Sequence, residues 1–262
     1  MMRKYNVNDD YFDNLDYEQY WLIGLLASDG FKGKYNQIGI NQSGEYGYKL
    51  VNYIKNIIKS DNPIRTIQTN GQNCYQLIIS SEKICKKLKE FNIVNAKTKI
   101  YQFPNIKSDY INDFIAGYVE GDGCITISDN GIGCKYLSAS FIGTKDFIHK
   151  CYEVIPIKGK VRKHNLSDVY EIRWNGEQAI AFCDWLYSSP ELYHSYKYDN
   201  YIKAKNAFKN TRKERYKVIK NNVLDDFINH RITSIMEYAK SINIPFQTIY
   251  SWKKKWEKEG LI

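Results

Sequence analysis

Leu22-Ile23-Gly24-Leu25-Leu26-Ala27-Ser28-Asp29-Gly30 is an apolar run that stops at Asp-Gly, and Ile115-Ala116-Gly117-Tyr118-Val119-Glu120-Gly121-Asp122-Gly123 repeats it further along the chain. Both runs read as helices. Gly24 and Ser28 lie four apart, as do Gly117 and Gly121, and residues at that spacing share a helix face. Two faces of small residues let two helix backbones approach closely, which large side chains would prevent. The helices are expected to pack on each other at the centre of the protein, with their carboxyl ends bringing Asp29 and Asp122 together. Gly30 and Gly123 are expected to end them in the left-handed conformation that glycine tolerates.

The pattern downstream of each run repeats as well. After Gly30 the sequence predicts a hairpin to Gln42, a helix over 46–59, strands over 64–69 and 74–79, and a helix over 81–91. After Gly123 it predicts strands over 125–128 and 136–142, a helix over 145–154, strands over 160–164 and 169–174, and a helix over 177–186. Each half therefore reads αββαββα. In the second half Val169, Glu171 and Arg173 share one face of a strand, and Tyr170, Ile172 and Trp174 the other. Lys160, Arg162 and His164 likewise oppose Val161. Period-two alternation implies sheets with one buried and one open face, and the open face is mostly basic and hydrogen-bonding.

From Thr211 the composition changes. Residues 211–217 read as a polar, basic linker or arm. Residues 233–240 read as a short helix with Ala239 inward, 241–244 as a turn, and 245–253 as a second helix with Pro245 in its first turn. This is a helix-turn-helix layout, in which the second helix is the reader. Residues 211–262 hold eleven Lys and Arg against six Asp and Glu.

The whole chain has 262 residues and a formal charge of +9, which favours a polyanionic partner over an acidic protein or a neutral metabolite. Its 23 tyrosines suit a wet, hydrogen-bonding interface and equally fit an AT-rich gene; both readings stand. Cys74, Cys85, Cys124, Cys134, Cys151 and Cys183 form no C-x-x-C pair, which argues against zinc. The segment MMRKYNVNDDYF has no apolar run of the signal type, and no stretch is long and apolar enough for a membrane span. The expectation is an intracellular, cytoplasmic protein with reduced cysteines and no membrane partner.

The paired motifs and the element order behind them resemble the LAGLIDADG homing endonucleases of the double-motif, single-chain type, over about residues 12–205. The resemblance implies an α/β (α+β) fold: a pseudo-two-fold pair of αββαββα half-domains, 1–107 and 108–210, forming an antiparallel β saddle across double-stranded DNA. A small all-helical segment, 211–262, extends the footprint. It implies a monomer that hydrolyses both strands of a long, asymmetric target for intron homing, bacterial, phage-borne or organellar in origin. Asp29 and Asp122 would bind the metal, Mg²⁺ with Mn²⁺ as a substitute, beside the backbone of Gly30 and Gly123. Hard carboxylate ligands with water completing the shell suit that ion.

Lys97 and Lys197 sit where the family places a basic residue that polarises the attacking water or steadies charge on the phosphate, and Gln42 resembles its water-orienting glutamine. The second half offers only Gly143 at that place, which makes the second site less complete and allows unequal strand cleavage. Glu120 fills an acidic position that is Ala27 in the first copy. DNA contacts are expected from Lys32, Lys34, Gln37, Asn41, Arg65 and Gln76 in the first half. In the second they are expected from Lys160, Arg162, His164, Glu171 and Arg173, and in the last helix from Gln247, Thr248, Ser251 and Lys253. Two alternatives accompany this reading: an intron RNA maturase, and a non-catalytic transcription regulator built on the same fold. The retained Asp29 and Asp122 favour the nuclease.

Overall fold

A computed structural model describes residues 4–69, 71–129, 135–164, 168–189, 192, 195–207, 212–242 and 244–262. Cys134, Thr211 and Asn243 lie outside the described residues. The chain divides into two compact units, one of residues 1–127 and 137–202, the other of 128–136 and 203–262.

The first unit is built on the motif helices, α1 (Tyr17–Ser28) and α4 (Ile111–Asp122). Asp16 caps α1: its carboxylate accepts from the Glu18 amide, while the Gln19 side chain accepts from the Asp16 amide. That reciprocal arrangement satisfies amides that the first turn leaves open. Residues 20–27 and 112–119 are all buried. Neither helix has a polar side, as expected of helices enclosed by protein. They cross backbone to backbone. A Cβ built on Gly24 would lie 1.9 Å from the Phe114 carbonyl oxygen, and one on Gly117 would lie 1.8 Å from that of Trp21. The small-residue faces anticipated at Gly24/Ser28 and Gly117/Gly121 thus form the junction.

Each motif helix feeds a four-stranded antiparallel sheet. The first sheet has the order β1-β2-β4-β3, from β1 (Gly30–Lys32), β2 (Gln37–Ser43), β3 (Arg65–Thr69) and β4 (Gln72–Ser80). The second has the order β5-β6-β8-β7, from β5 (Gly123–Asp129), β6 (Lys135–Gly143), β7 (Lys160–Lys163) and β8 (Tyr170–Asn175). Helices α2 (Gly44–Ile57) and α3 (Glu82–Glu90) belong to the first half, α5 (Lys145–Val154) and α6 (Glu177–Leu186) to the second, followed by α7 (Tyr196–Ala207). One face of each sheet is apolar and covered. Ile38, Ile40, Leu77 and Ile79 are buried in the first, and Phe141, Ile172 and Trp174 in the second, where Trp174 stacks on Phe182 with centroids 3.7 Å apart.

Gly30 and Gly123 depart from expectation. Neither adopts positive φ; each opens a strand directly, with Gly123 extended at φ −91°, ψ 160°. They are needed for closeness instead. A Cβ on Gly30 would lie 2.5 Å from the Leu26 carbonyl oxygen, and one on Gly123 2.4 Å from that of Val119.

The second unit contains α8 (Arg212–Ile228), α9 (Ile235–Ser241) and α10 (Phe246–Lys258). The expected basic linker is corrected here: residues 212–217 open α8. Lys, Arg and Glu are good helix formers, and Ile219, Val223 and Phe227 continue the helix at a spacing of four. Val223, Ala239, Ile244, Ile249 and Trp256 make a small core of their own. No helix among the described residues is long and apolar enough to cross a membrane.

Leucine at Gly24 or Gly117 would drive the motif helices apart. Overpacking a core costs about 1–3 kcal/mol, and here the obstacle is backbone rather than a movable side chain. Each variant is expected to melt well below the parent, or not to fold. An unchanged thermal unfolding curve for either would show that the helices do not meet there.

Candidate active site and nucleic-acid interface

The carboxyl ends of α1 and α4 bring the two aspartates to one place. Asp29 is the C-cap of α1, its amide donating to the Leu25 carbonyl at 2.9 Å. Asp122 is the last residue of α4. Gly121 makes room for the first of them: a Cβ there would lie 2.1 Å from Ser28 Oγ and 2.9 Å from Asp29 Cγ. The Asp29 carboxyl group therefore rests against bare backbone of the opposite motif helix.

Both carboxyls are held above the usual carboxylate range. For Asp29 the cause is loss of water, partly offset by a 2.6 Å hydrogen bond from Gln42 Nε2 and by the charges of Lys197 and Lys97. For Asp122 it is loss of water and then the charge of Asp29, opposed by Lys97, Lys197 and the Tyr118 hydroxyl. Two anions at the negative ends of two helix dipoles disfavour each other, and a divalent cation between them would relieve both. No group of three or more His, Cys, Asp or Glu side chains is arranged for metal among the described residues. Asp29 and Asp122 bring two hard carboxylates together, a pair that would suit a cation keeping water and phosphate oxygen in its shell.

Lys97 and Lys197 are buried, 7% and 4% exposed. Lys97, in a single 3₁₀ turn (Lys97–Lys99), donates to the carbonyls of Ser28 at 3.1 Å and Gly30 at 2.6 Å. Lys197, at the start of α7, donates to Val119 at 2.9 Å, Glu120 at 2.5 Å and Gly121 at 3.3 Å. Each lysine caps the carbonyl end of its own half's motif helix, where cations are favoured. Burial pushes both ammonium groups below their ordinary range, while the neighbouring carboxylates pull the other way. The lysines spend their donors on backbone, so what they offer the site first is charge beneath both aspartates.

The halves differ at the polar neighbour. Gln42 directly precedes Ser43, the N-cap of α2, as Gly143 directly precedes Thr144, the N-cap of α5. The two positions therefore correspond, and Gly143 has no side chain. The Phe147 ring and the Tyr118 hydroxyl border the space: a Cβ on Gly143 would lie 2.8 Å from Phe147 Cδ1 and 3.2 Å from the hydroxyl oxygen. That hydroxyl donates to the Ile142 carbonyl at 3.1 Å and lies beside Asp122, whose ionised form it favours. Tyr118 corresponds to Leu25 of the first motif and reads in sequence as one more apolar residue of the run. The difference between the two copies is the signal that could have found it.

The open sheet faces carry most of the expected contact residues. Directly paired residues share a face. Arg65, Gln76 and Asn41 form one row across the first sheet, with Gln37 beside Ser80 in another. Arg162 with Glu171, and Lys160 with Arg173, form rows across the second. His164 follows β7 and is exposed, as is Lys34 in the turn between β1 and β2.

Two residues depart from expectation. Lys32 pairs with Ile38 on the covered face, because the strand alternation gives the open face to Phe31, whose ring lies over Gly39. Glu171 is only 3% exposed and is no outward contact. Burial alone would raise its carboxyl, but bonds from Arg173 and Arg162 hold it below the usual range.

In the second unit Gln247 and Ser251 are exposed on α10, opposite Ile249 and Trp256. Thr248 is half-buried, and its carbonyl accepts from Ser251 Oγ at 2.8 Å. Lys253 pairs with Glu257 at 3.1 Å.

No protein-family model matches the chain, and no curated protein does. Solved structures do. The I-LtrWI LAGLIDADG homing endonuclease bound to target DNA aligns over 79% of this chain and 97% of its own, with TM-score 0.53 and 13% identity. The LAGLIDADG meganuclease I-AabMI bound to uncleaved DNA aligns over 79% and 97%, with TM-score 0.51 and 14% identity. The meganuclease I-SmaMI bound to uncleaveable DNA aligns over 78% and 95%, with TM-score 0.51 and 12% identity. The chain has the double-motif LAGLIDADG fold.

Glu120 supplies a pH-dependent check on this site. Its carboxyl is pushed up from 4.5 to about 7 by burial, which outweighs the opposing charge of Lys197 and a hydrogen bond from Ser195. Between those values the folded chain holds a proton that the unfolded chain has released, so stability falls as pH rises from about 4.5 to about 7 and levels off above. Glu120→Gln removes that dependence. In chelator, its melting temperature relative to the parent is expected to rise between pH 5 and pH 8. A difference that does not change with pH would show that Glu120 is not proton-linked to folding.

Proposed function

We propose that the chain is a metal-dependent, site-specific endonuclease that hydrolyses both strands of a long, asymmetric DNA duplex. The observation that carries this is the meeting of Asp29 and Asp122 at the carbonyl ends of two helices in backbone contact, each aspartate heading its own open-faced sheet, hydrogen-bonding in the first half and basic in the second. The DNA-bound state of the aligned structures supports the substrate class. A single chain with two unequal halves suits a monomer on an asymmetric site, because a symmetric dimer would demand a palindrome.

In this reading Asp29 and Asp122 hold Mg²⁺, with Mn²⁺ as a substitute. Held by those two carboxylates, the ion would supply an activated water and charge stabilisation for the leaving 3′-oxygen. Gln42 fixes the orientation of the Asp29 carboxylate through its 2.6 Å bond. Tyr118 does the corresponding work beside Asp122. Lys97 and Lys197 place fixed positive charge under the site, which steadies the aspartates before the ion arrives and favours an approaching phosphate. The sheets' open faces lie in the duplex grooves. The unlike polar neighbours, an amide in one half and a phenol in the other, imply unequal rates on the two strands.

Asp29→Asn and Asp122→Asn keep shape and remove ligand charge. Each is expected to abolish double-strand cleavage in Mg²⁺ while binding duplex DNA at least as tightly as the parent, since carboxylate–phosphate repulsion falls. Selecting cleaved products from a pool of randomised duplexes supplies the target, and labelled strands report each cut. Full cleavage by either variant would sink the proposal.

We propose further that residues 211–262 form a helix-turn-helix DNA-binding segment with α10 as its reading helix, on the strength of the exposed polar start of α10 and the unit's separate core. Gln247→Ala combined with Ser251→Ala should relax base preference at one flank of the target and leave the cut positions unchanged. Unaltered flank preference would remove α10 from the interface.

A further inference from the structure

The open face of the second sheet contains a buried anion between two exposed cations. Glu171 sits in the middle of β8, its Cα paired with Ile142 of β6 on one side and Arg162 of β7 on the other. Its Oε1 accepts from Arg173 Nε at 3.1 Å and Nη2 at 2.6 Å, and its Oε2 accepts from Arg162 Nε. Ser140, one strand away, also bonds to it. The arginine side chains are 53% and 38% exposed, against 3% for the glutamate.

Which edge of each guanidinium is occupied matters. Glu171 takes the Nε side of both arginines. Among the described residues nothing else bonds to either guanidinium, so the far end, where the two terminal nitrogens project as a fork, is open to another partner. A free arginine fork matches the O6 and N7 acceptors that guanine presents in the major groove. A flexible surface arginine would lose side-chain freedom on docking, whereas these two have already lost it in the folded chain.

The first sheet has different chemistry at the same topological place. There Gln76 of β4 pairs with Asn41 of β2 and Arg65 of β3, and Gln76 Nε2 donates to Asn41 Oδ1 at 3.0 Å. An uncharged amide pair stands where the second sheet has a carboxylate.

We propose that Glu171 is a positioning residue for base recognition: it fixes Arg162 and Arg173 with their forks outward, and so makes guanine the preferred base in the half of the target covered by β5-β6-β8-β7. The proposal rests on the chain's being a DNA-binding protein. Glu171 itself touches no base. It also cancels one of the two arginine charges, which limits sequence-independent attraction to phosphate.

The test uses full-length protein in chelator, so that nothing is cut, with a pool of randomised DNA duplexes. Retained duplexes give the parent's base preferences position by position. The parent is expected to select an asymmetric site with guanines at fixed positions in one half. Arg162→Lys keeps the charge but loses the fork. It should lower preference at one of those guanines by about ten-fold, within the range of a single bidentate contact, while the dependence of affinity on salt stays as in the parent. Glu171→Gln should weaken preference at both guanines and steepen the salt dependence, with the other half of the site unchanged.

A folded Glu171→Gln, melting like the parent and selecting the same guanines with equal strength, would overturn the proposal. So would unchanged preference in Arg162→Lys and Arg173→Lys; both replace partly exposed side chains and serve if Glu171→Gln does not fold. A parent that selects no site at all would sink the DNA-binding function itself, and the role of Glu171 with it.

Discussion

Two helix backbones touch at Gly24 and Gly117, and the rest of the first unit is arranged around that contact. A helix pair separated by ordinary side chains lies about 8–10 Å apart axis to axis. Here the carbonyls of Phe114 and Trp21 occupy the very space that a methyl group would need. The closeness is what lets Asp29 reach Gly121 of the opposite helix, so that the two aspartates gather in one place drawn from both halves. It also sets where each sheet begins, because β1 and β5 start at the glycine after each motif aspartate. Active-site spacing and sheet placement are thus consequences of one steric fact.

The same crossing creates an electrostatic problem that the chain answers locally. Two helix C-termini and two carboxylates gather negative potential in one place. Each half returns a lysine, Lys97 or Lys197, to the carbonyl end of its own helix, from far along the sequence. These amines are buried at a cost that lowers their affinity for the proton, and the aspartates partly offset it. Without them the site would combine unsatisfied carbonyls with unrelieved repulsion. With them the carbonyls are bonded and the two carboxylates have two buried ammonium groups beside them.

Much of this is legible in the sequence because it depends on repetition and period. The motif pair, the αββαββα order, the approach of small residues and the alternation in β8 all follow from spacing alone. The features that escape depend on register, or on conformation between equally suitable alternatives. Lys32 has the character of an outward basic residue, but its pairing with Ile38 places it on the covered face. Glu171 has the character of a polar contact, and only Arg162 on the neighbouring strand and Arg173 two residues along its own reveal it as buried beneath them. Gly30 and Gly123 stand where left-handed turns are common, yet serve by lacking a Cβ next to a carbonyl. The basic run from Arg212 has the composition of a linker, and its continuation through Ile219, Val223 and Phe227 makes it a helix. Tyr118 is hidden by its own apolarity: nothing in one motif says that its hydroxyl will lie beside Asp122 and Gly143.

The contact at Gly24 and Gly117 also limits how such a chain can be recombined. Each half carries its own sheet, its own lysine and its own polar neighbour, so each is a structural unit in its own right. The junction, however, is a joint specification. An incoming half must present bare backbone where Trp21 and Phe114 put their carbonyls, and must leave Asp29 its seat against Gly121. Halves meeting that condition would pack together, and halves failing it would be incompatible however well each folded. Four small residues therefore act as the mating standard for joining one half to the other.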